Sequence, residues 1–263
     1  MLPRPPHLAP IYAAQFQDAS VAAVYRKRPP YPETTLDILI GLLPQRRALV
    51  LDLGCGTGEI AIPLSRHVAH IDAVDRSSAM LDVARSIAGS ACRNVSWLND
   101  TAEQYHYGIP YDLVVAGASL HWMDWEVVLR KIRRSLNPNG FVAIVDKTAF
   151  MEAPWREKVL RIIPKYSTNR EYQRFDFVDE LCARRLFRVV GRQTTPPEDF
   201  EQSVEDYVSS FHSRNGFSRD RMSEENARQF DAEVSSLVRP FADDGMLRTV
   251  VRATATWGVP LAT

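Results

Sequence analysis

Ala48-Leu49-Val50-Leu51-Asp52-Leu53-Gly54-Cys55-Gly56-Thr57-Gly58-Glu59 is the stretch around which the rest of the chain is organised. Its apolar start, Ala48 to Leu51, predicts a strand buried on both faces, as in a parallel sheet covered by helices. Gly54, Gly56 and Gly58 then alternate, so the backbone can turn tightly, take positive φ and present N–H groups to a ligand with no Cβ in the way. From Glu59 to about His67 the pattern turns helical. The loop therefore sits at a helix N-terminus, where unpaired N–H groups and the dipole favour a carboxylate or a polar ligand edge. Strand, glycine loop and helix in this order make a nucleotide-site geometry.

Spacing narrows the ligand. The dinucleotide fingerprint G-x-G-x-x-G needs glycine at position 59, where Glu59 instead puts a carboxylate in the place of a pyrophosphate. No Lys-Ser or Lys-Thr follows the loop, which excludes a P-loop. The run Asp52-Leu53-Gly54-Cys55-Gly56-Thr57-Gly58 resembles, residue for residue, motif I of the class I S-adenosylmethionine (SAM) dependent methyltransferases. That resemblance implies that the loop of Gly54, Cys55, Gly56 and Gly58 lies against the methionine part of SAM and that Asp52 helps to hold its ammonium end.

The chain has 263 residues, 45% hydrophobic and 24% charged, enough for one elaborated α/β domain or one domain plus a cap. Lys plus Arg equals Asp plus Glu at 32 each, so there is no global basic field to concentrate nucleic acid or an anionic membrane, and a small-molecule partner is expected. Cys55, Cys92 and Cys182 are odd in number and widely spaced, which argues against a disulfide framework and a zinc site and for a reducing compartment. The Pro-rich start has no apolar signal region, and no apolar run reaches transmembrane length. A soluble cytoplasmic monomer or homodimer is the expectation.

Residues 1–44 are expected to form a helical, Pro-rich lid, with Met1 to Ala9 mobile. Tyr12, Phe16, Ala19 and Ala23 recur at roughly helical spacing. The prolines of Tyr25-Arg26-Lys27-Arg28-Pro29-Pro30-Tyr31-Pro32 forbid regular structure and hold Arg28 and Tyr31 on a stiff loop. This segment resembles, with one more intervening residue, the one that precedes motif I in a methyltransferase subfamily including the trans-aconitate-type and related natural-product enzymes. The resemblance implies that Tyr25 and Arg28 close over the SAM carboxylate and that, with Tyr31, they border the acceptor pocket.

Within the expected SAM-binding core, residues 45–149, Ile71 to Asp75 reads as the second strand, ending in a carboxylate beside the glycine loop, where it can take both ribose hydroxyls. Arg76-Ser77-Ser78-Ala79-Met80 resembles the segment that places an apolar residue, here Met80, on adenine. After the third strand, Asp100-Thr101-Ala102-Glu103 stands where many of these enzymes have Gly-Asp-Ala-Glu. Thr101 and Ala102 are therefore expected to frame adenine, with the choice between Asp100 and Thr101 left open. The fourth strand, Tyr111 to Ala116, ends by this resemblance beside the transferable methyl. The stretch Ser119-Leu120-His121-Trp122 resembles the subfamily's motif IV extension. His121 is the candidate general base or, alternatively, a structural residue orienting the loop; Trp122 lies on the acceptor side.

Trp125 to Leu136 reads as a helix, Asn137-Pro138-Asn139-Gly140 as a turn and Phe141 to Val145 as the fifth strand. From Phe150 aromatic and basic residues mix, including Trp155, Arg156, Tyr166, Arg170, Tyr172 and Arg174. The family places its substrate cap there, so residues 150–263 are expected to hold a cap, with Trp155 lining the acceptor pocket, and the strands that complete the sheet: Leu186 to Thr194 and an antiparallel Leu247 to Trp257. The fold expected is α/β, a doubly wound Rossmann-like sheet of seven strands, mostly parallel with the last antiparallel, plus a helical cap. The function implied is SAM-dependent methyl transfer to an O, N or C atom of a small acceptor, acidic or phenolic. The rivals are a non-catalytic SAM-binding interaction protein, an RNA methyltransferase, and an NAD-dependent oxidoreductase, the last disfavoured by Glu59 and by the lack of a Tyr-x-x-x-Lys pair.

Overall fold

The glycine-loop strand, β1 (Leu49–Leu53), is hydrogen-bonded in parallel on both sides, which explains why its apolar run has no polar alternation. The computed structural model describes residues 4–44, 47–150, 152–173 and 175–261. Arg174, counted above among the cap's basic residues, lies outside them. The further strands are β2 (His70–Asp75), β3 (Val95–Asn99), β4 (Tyr111–Gly117), β5 (Leu136–Ala149), β6 (Phe187–Thr194), β7 (Glu198–Ser203) and β8 (Met246–Pro260). Their order is β3-β2-β1-β4-β5-β8-β6, with β7 also on β8; β1 to β5 are parallel and β8 runs against β5, β6 and β7.

The helices are α1 (Pro10–Ala13), α2 (Ala19–Val24), α3 (Glu33–Gly41), α4 (Ala61–Leu64), α5 (Ser78–Ala88), α6 (Trp125–Ser135), α7 (Arg156–Tyr166), α8 (Phe177–Ala183), α9 (Val204–Phe211) and α10 (Glu224–Val238). Helices α3, α4 and α5 cover one sheet face, packing Ile38, Leu39, Leu64 and Leu81 against Val50, Ala73 and Val115. On the other face α6 and α8 set Val128, Ile132 and Leu181 against Leu51, Leu53 and Val114. Each large apolar side chain so buried contributes about 1.5–3 kcal/mol, which fixes the sheet register between the two layers. The two longer core helices start where capping side chains allow: Ser77 accepts from the Met80 amide and Asp124 from the Val127 amide.

The expected seventh position of the sheet is present but divided. β6 and β7 pair with successive halves of β8, through Thr194 opposite Thr254 and Glu198 opposite Val251. Between them stand Pro196 and Pro197, which lack the N–H needed to continue the ladder. One edge thus counts as two strands, and the total is eight. β5 also differs from expectation, since Asn137 to Gly140 belong to the strand rather than to a turn. The register shifts opposite Tyr111 and Leu113, and a Cβ on Gly140 would stand 2.9 Å from the Tyr111 carbonyl oxygen. Glycine permits this close strand approach.

The cap has its own core. Trp155, Val159 and Ile162 around α7 meet Tyr207 and Phe211 of α9 and Phe230 and Val234 of α10. It is therefore assembled from two insertions, one after β5 and one between β7 and β8. Residues 4–9, expected to be mobile, are packed: His7 and Leu8 are buried, and the Arg4 guanidinium donates to the His121 carbonyl at 2.7 Å.

Candidate active site

The carboxyl ends of β1, β2, β3 and β4 open into one cleft enclosing about 1060 Å³, mouth included. This edge is where a doubly wound sheet leaves strand-end backbone groups facing a ligand. The cleft floor is Gly54 and Gly56 after β1, Val74, Asp75 and Arg76 at β2, Met80 on α5, Asp100 to Glu103 after β3, and Gly117, Ala118 and Ser119 at the end of β4. His121, Trp122 and Met123 form one wall, and Ala13, Phe16, Tyr25, Arg28 and Asn215 form the roof.

The glycines have different tasks. At Gly54, φ is +71° and a Cβ would lie 2.5 Å from the Ser119 Cβ, so glycine is what lets the β1 and β4 loops touch. The Ser119 hydroxyl donates to the Leu53 carbonyl at 2.5 Å and fixes that contact. At Gly56, φ is +53° and a Cβ would meet only the Tyr25 ring at 3.8 Å, leaving the backbone open to the cleft. Gly58, expected beside the cofactor, faces Ile62 and Trp97 instead, packing the loop onto α4. Ala116 likewise is buried in the sheet, because β4 runs one residue further than expected; Gly117 and Ala118 take its place at the cleft.

Asp75 is held by the backbone: its carboxylate accepts from the Gly56 amide and from the Ser77 amide, both at 2.8 Å. Burial nevertheless raises its pKa, against these two amides and Arg76. Asp52 is 2% exposed, and its Oδ2 has no hydrogen-bond partner among the described residues. Burial, with the charge of Asp75, lifts its pKa to about 7, while the Ala61 amide opposes. An orphaned buried acceptor of this kind calls for a donor or a cation. Cys55 borders, with Asp52, a small recess beside the main cleft, its thiol pushed up by burial and then by Asp52 and Asp75, so it is an inert lining group.

Met80 is buried and packs with Val21 and Ala22 of α2 beneath the cleft. Asp100, Thr101 and Ala102 all line it. The Thr101 hydroxyl accepts from the Gln104 amide and Asp100 Oδ1 accepts from the Thr101 amide, so the two residues form one turn and both border the cleft. Arg76 donates to the Gln17 side chain at 3.1 Å, which ties the floor to the roof.

His121 faces the cleft between the rings of Trp122, at 4.9 Å, and Phe177, at 5.9 Å. Burial, helped by Arg4 and His7, lowers its pKa to about 3. A shift in that direction makes the ring a weaker proton acceptor than an ordinary imidazole and favours the structural alternative over the general base. Trp122 contacts Phe16 at 5.4 Å, joining this wall to the roof.

Two expected acceptor residues lie elsewhere. Trp155 is 2% exposed inside the cap core, its indole N–H donating to the Tyr207 hydroxyl at 3.0 Å. A buried tryptophan takes such a partner, and here the partner belongs to the cap. Tyr31 lines a small side recess rather than the main cleft, under the ammonium of Lys147 at 4.3 Å. Tyr25 and Arg28 line both spaces; the guanidinium lies 4.3 Å over the tyrosine ring.

Sequence reasoning missed Lys147, Glu59 and Asn215. Lys147 lies near the carboxyl end of β5, on the ligand edge, and pairs with Glu59 at 2.7 Å, a position that the strand-end rule could have found. Asn215 had no local signal; it reaches the roof by donating to the Tyr12 carbonyl, 203 residues away in sequence. Among the described residues no group of three potential metal ligands gathers, and no helix is long and apolar enough to cross a membrane.

Residues 50–140 match a family model described as a methyltransferase domain. Over 149 residues the chain is 34% identical to an uncharacterized methyltransferase-like protein of Schizosaccharomyces pombe, covering 56% of this chain and 57% of that one. The chain thus spans little more than half the length of the curated relatives it matches. A structure from Anaeromyxobacter dehalogenans assigned as a type II methyltransferase is similar at a TM-score of 0.62, with 19% identity, over 88% of this chain and 97% of that one. A SAM-dependent methyltransferase of Thiobacillus denitrificans in complex with S-adenosyl-L-homocysteine is similar at 0.52, with 18% identity, over 90% of this chain and 96% of that one. At such identities the likeness is one of fold.

Proposed function

From the match of residues 50–140 to a methyltransferase-domain model we propose that the chain is a class I SAM-dependent methyltransferase, an enzyme transferring a methyl group to an O, N or C atom of a small acceptor. The observation that carries this reading is the buried, unpartnered Asp52 Oδ2 beside a glycine loop open to the cleft at Gly56. A cationic amino end is what would satisfy Asp52, and a ribose diol is what the backbone-fixed Asp75 is suited to accept. Met80 and Ala102 offer apolar surface to adenine, and Asp100 or Thr101 an acceptor for its amine. Arg28 suits the cofactor's carboxylate. The residues present therefore fit SAM.

The cofactor supplies an electrophilic methyl on a sulfonium. What the chain contributes is position: the small residues Gly117 and Ala118 leave room at the end of β4, and Phe16, Trp122 and Tyr25 keep water from the reacting line. His121, neutral in this setting, would orient an acceptor by hydrogen bonding rather than remove its proton. The acceptor class proposed is an acidic or phenolic metabolite, supported by the aromatic rings of Phe16, Trp122 and Tyr25 on the cleft. The division into a lid over 1–44, a SAM-binding core over 45–149 and a cap with closing strands over 150–263 belongs to the same proposal.

Calorimetric titration with S-adenosylhomocysteine tests it. Micromolar binding to the natural chain, weakened about a hundredfold or more in Asp75→Ala, is expected, since that change removes a charge-assisted pair of hydrogen bonds. Binding of NAD in preference to S-adenosylhomocysteine would refute the reading.

A further inference from the structure

The turn after β3 is gripped from behind. Asp100 to Glu103 line the cleft, whereas Lys131, Tyr105 and Tyr107 do not. Lys131 of α6 donates from its ammonium to the Glu103 carbonyl at 2.6 Å and to the Tyr105 carbonyl at 3.0 Å, so these donors go to main chain rather than to a carboxylate. The Tyr107 hydroxyl donates to the Ala102 carbonyl at 3.0 Å, and the same ammonium lies 5.4 Å from the centre of the Tyr107 ring.

Inside the turn the Thr101 carbonyl accepts from the Gln104 and Tyr105 amides, at 3.1 and 2.8 Å, and the Thr101 amide is taken by Asp100 Oδ1. The amides of Ala102 and Glu103 are left over: they donate to no group among the described residues, although Ala102 is only 6% exposed. In a trans peptide the N–H points opposite to the carbonyl of the residue before it. The Glu103 amide therefore points away from the Tyr107 hydroxyl, and the Ala102 amide away from the donors that close the turn. A main-chain N–H withdrawn from water calls for an acceptor, and the cleft that both residues border is where one can enter.

We infer that Lys131, seconded by Tyr107, is a positioning residue for base recognition. It holds the turn so that the Ala102 and Glu103 amides meet a ring-nitrogen acceptor, which makes the site select adenine over a base that carries N–H there. This rests on the methyltransferase reading above. A main-chain donor discriminates only as well as its direction is fixed, and an ammonium shared between two carbonyls fixes those peptide planes through charge-assisted bonds. Adenine offers a bare ring nitrogen beside its amine. Hypoxanthine offers N–H beside a carbonyl, which would set donor against donor and leave both unmet.

Affinities for S-adenosylhomocysteine and S-inosylhomocysteine are measured by calorimetry on the natural chain and on Lys131→Met, Lys131→Arg and Tyr107→Phe. The natural chain is expected to prefer S-adenosylhomocysteine by about thirtyfold or more. Lys131→Met should lose about tenfold for S-adenosylhomocysteine and little for S-inosylhomocysteine, so the preference itself shrinks. Lys131→Arg, still a cation able to donate to both carbonyls, should keep most of it, and Tyr107→Phe should lose about threefold. Equal binding of both compounds by the natural chain would overturn the inference. So would an equal loss for both in Lys131→Met, the mark of a merely structural role, or an undiminished preference in that variant. Should Lys131→Met fail to fold, an undiminished preference in Tyr107→Phe would overturn it instead. Failure of S-adenosylhomocysteine to bind the natural chain would sink the underlying methyltransferase reading, which the S-inosylhomocysteine comparison leaves untouched.

Discussion

The floor of the cleft and its roof are held in different ways. Floor residues Gly54, Asp75 and Gly117 stand at strand ends, so the parallel sheet and its two helical layers set their positions to within the rigidity of a packed core. The roof is held by polar pairs between distant segments. Asp18 accepts from Arg221 at 2.6 and 3.0 Å and from the Ser218 hydroxyl at 2.6 Å, the Gln15 side chain accepts from the Gly216 amide at 2.8 Å, and Arg28 grips Ser213. A floor set by packing rests on many small contacts, whereas the roof rests on a few discrete polar pairs, so a single substitution in the roof can loosen it selectively. Residues 12–28 and 213–221 are tied to each other through these pairs, and to the floor through Gln17 with Arg76 and Val21 and Ala22 with Met80.

Three variants would break or sharpen this contrast. The largest effect is expected from Gly54→Val, which meets Ser119 and a left-handed backbone at once: a loss of about 3 kcal/mol in urea unfolding, together with loss of S-adenosylhomocysteine binding. A stable, binding Gly54→Val would show that the floor is less rigid than its packing implies.

Next comes the pH dependence of Asp52. Its free carboxyl has a pKa of about 7, and an ammonium placed on Oδ2 favours the ionised form. Affinity for S-adenosylhomocysteine should therefore be flat above that value and fall as pH drops below it, by up to about tenfold per unit. Asp52→Asn should bind more weakly and lose this dependence; the same slope in both proteins, followed by calorimetry between pH 5.5 and about 8.5, would move the effect to another group. The smallest change is expected from Asp18→Ala, which cuts the roof clasp: about 1 kcal/mol or less in stability, but release of S-adenosylhomocysteine several-fold faster in stopped flow. Unchanged release would make residues 12–28 a fixed wall.

The same contrast explains what could be read from the residues alone. Gly54, Gly56, Asp75 and Met80 were legible because each lies in a short run that specifies both its element and its place at the element's end. Errors of a single residue at a strand end, as with Ala116, come from the weak local signal for where pairing stops. Trp155 was misplaced because an aromatic residue in a basic segment reads alike whether it faces a ligand or its own helices; α9 and α10, which bury it, come later in the chain. Asn215 depends on a contact across the whole molecule, for which no local pattern exists. The depressed pKa of His121 comes first from burial and then from Arg4 and His7, which belong to a segment whose prolines suggested mobility. Pro196-Pro197 was legible in principle, since paired prolines inside an alternating segment mark a break in an edge.

The place of β8 in the strand order also bears on how the molecule is made. β6 and β7 find their sheet neighbour in β8 alone, a segment that begins at Met246. During synthesis β1 to β5 can pair as they emerge, but the chain from Phe187 to Ser203 must wait for residues 246–260. Such late, long-range closure slows folding and leaves unpaired strand exposed in the interval. A ribosome stalled before Met246 would thus carry a nearly formed cofactor half beside an open β5 edge, the state of this protein most dependent on chaperones.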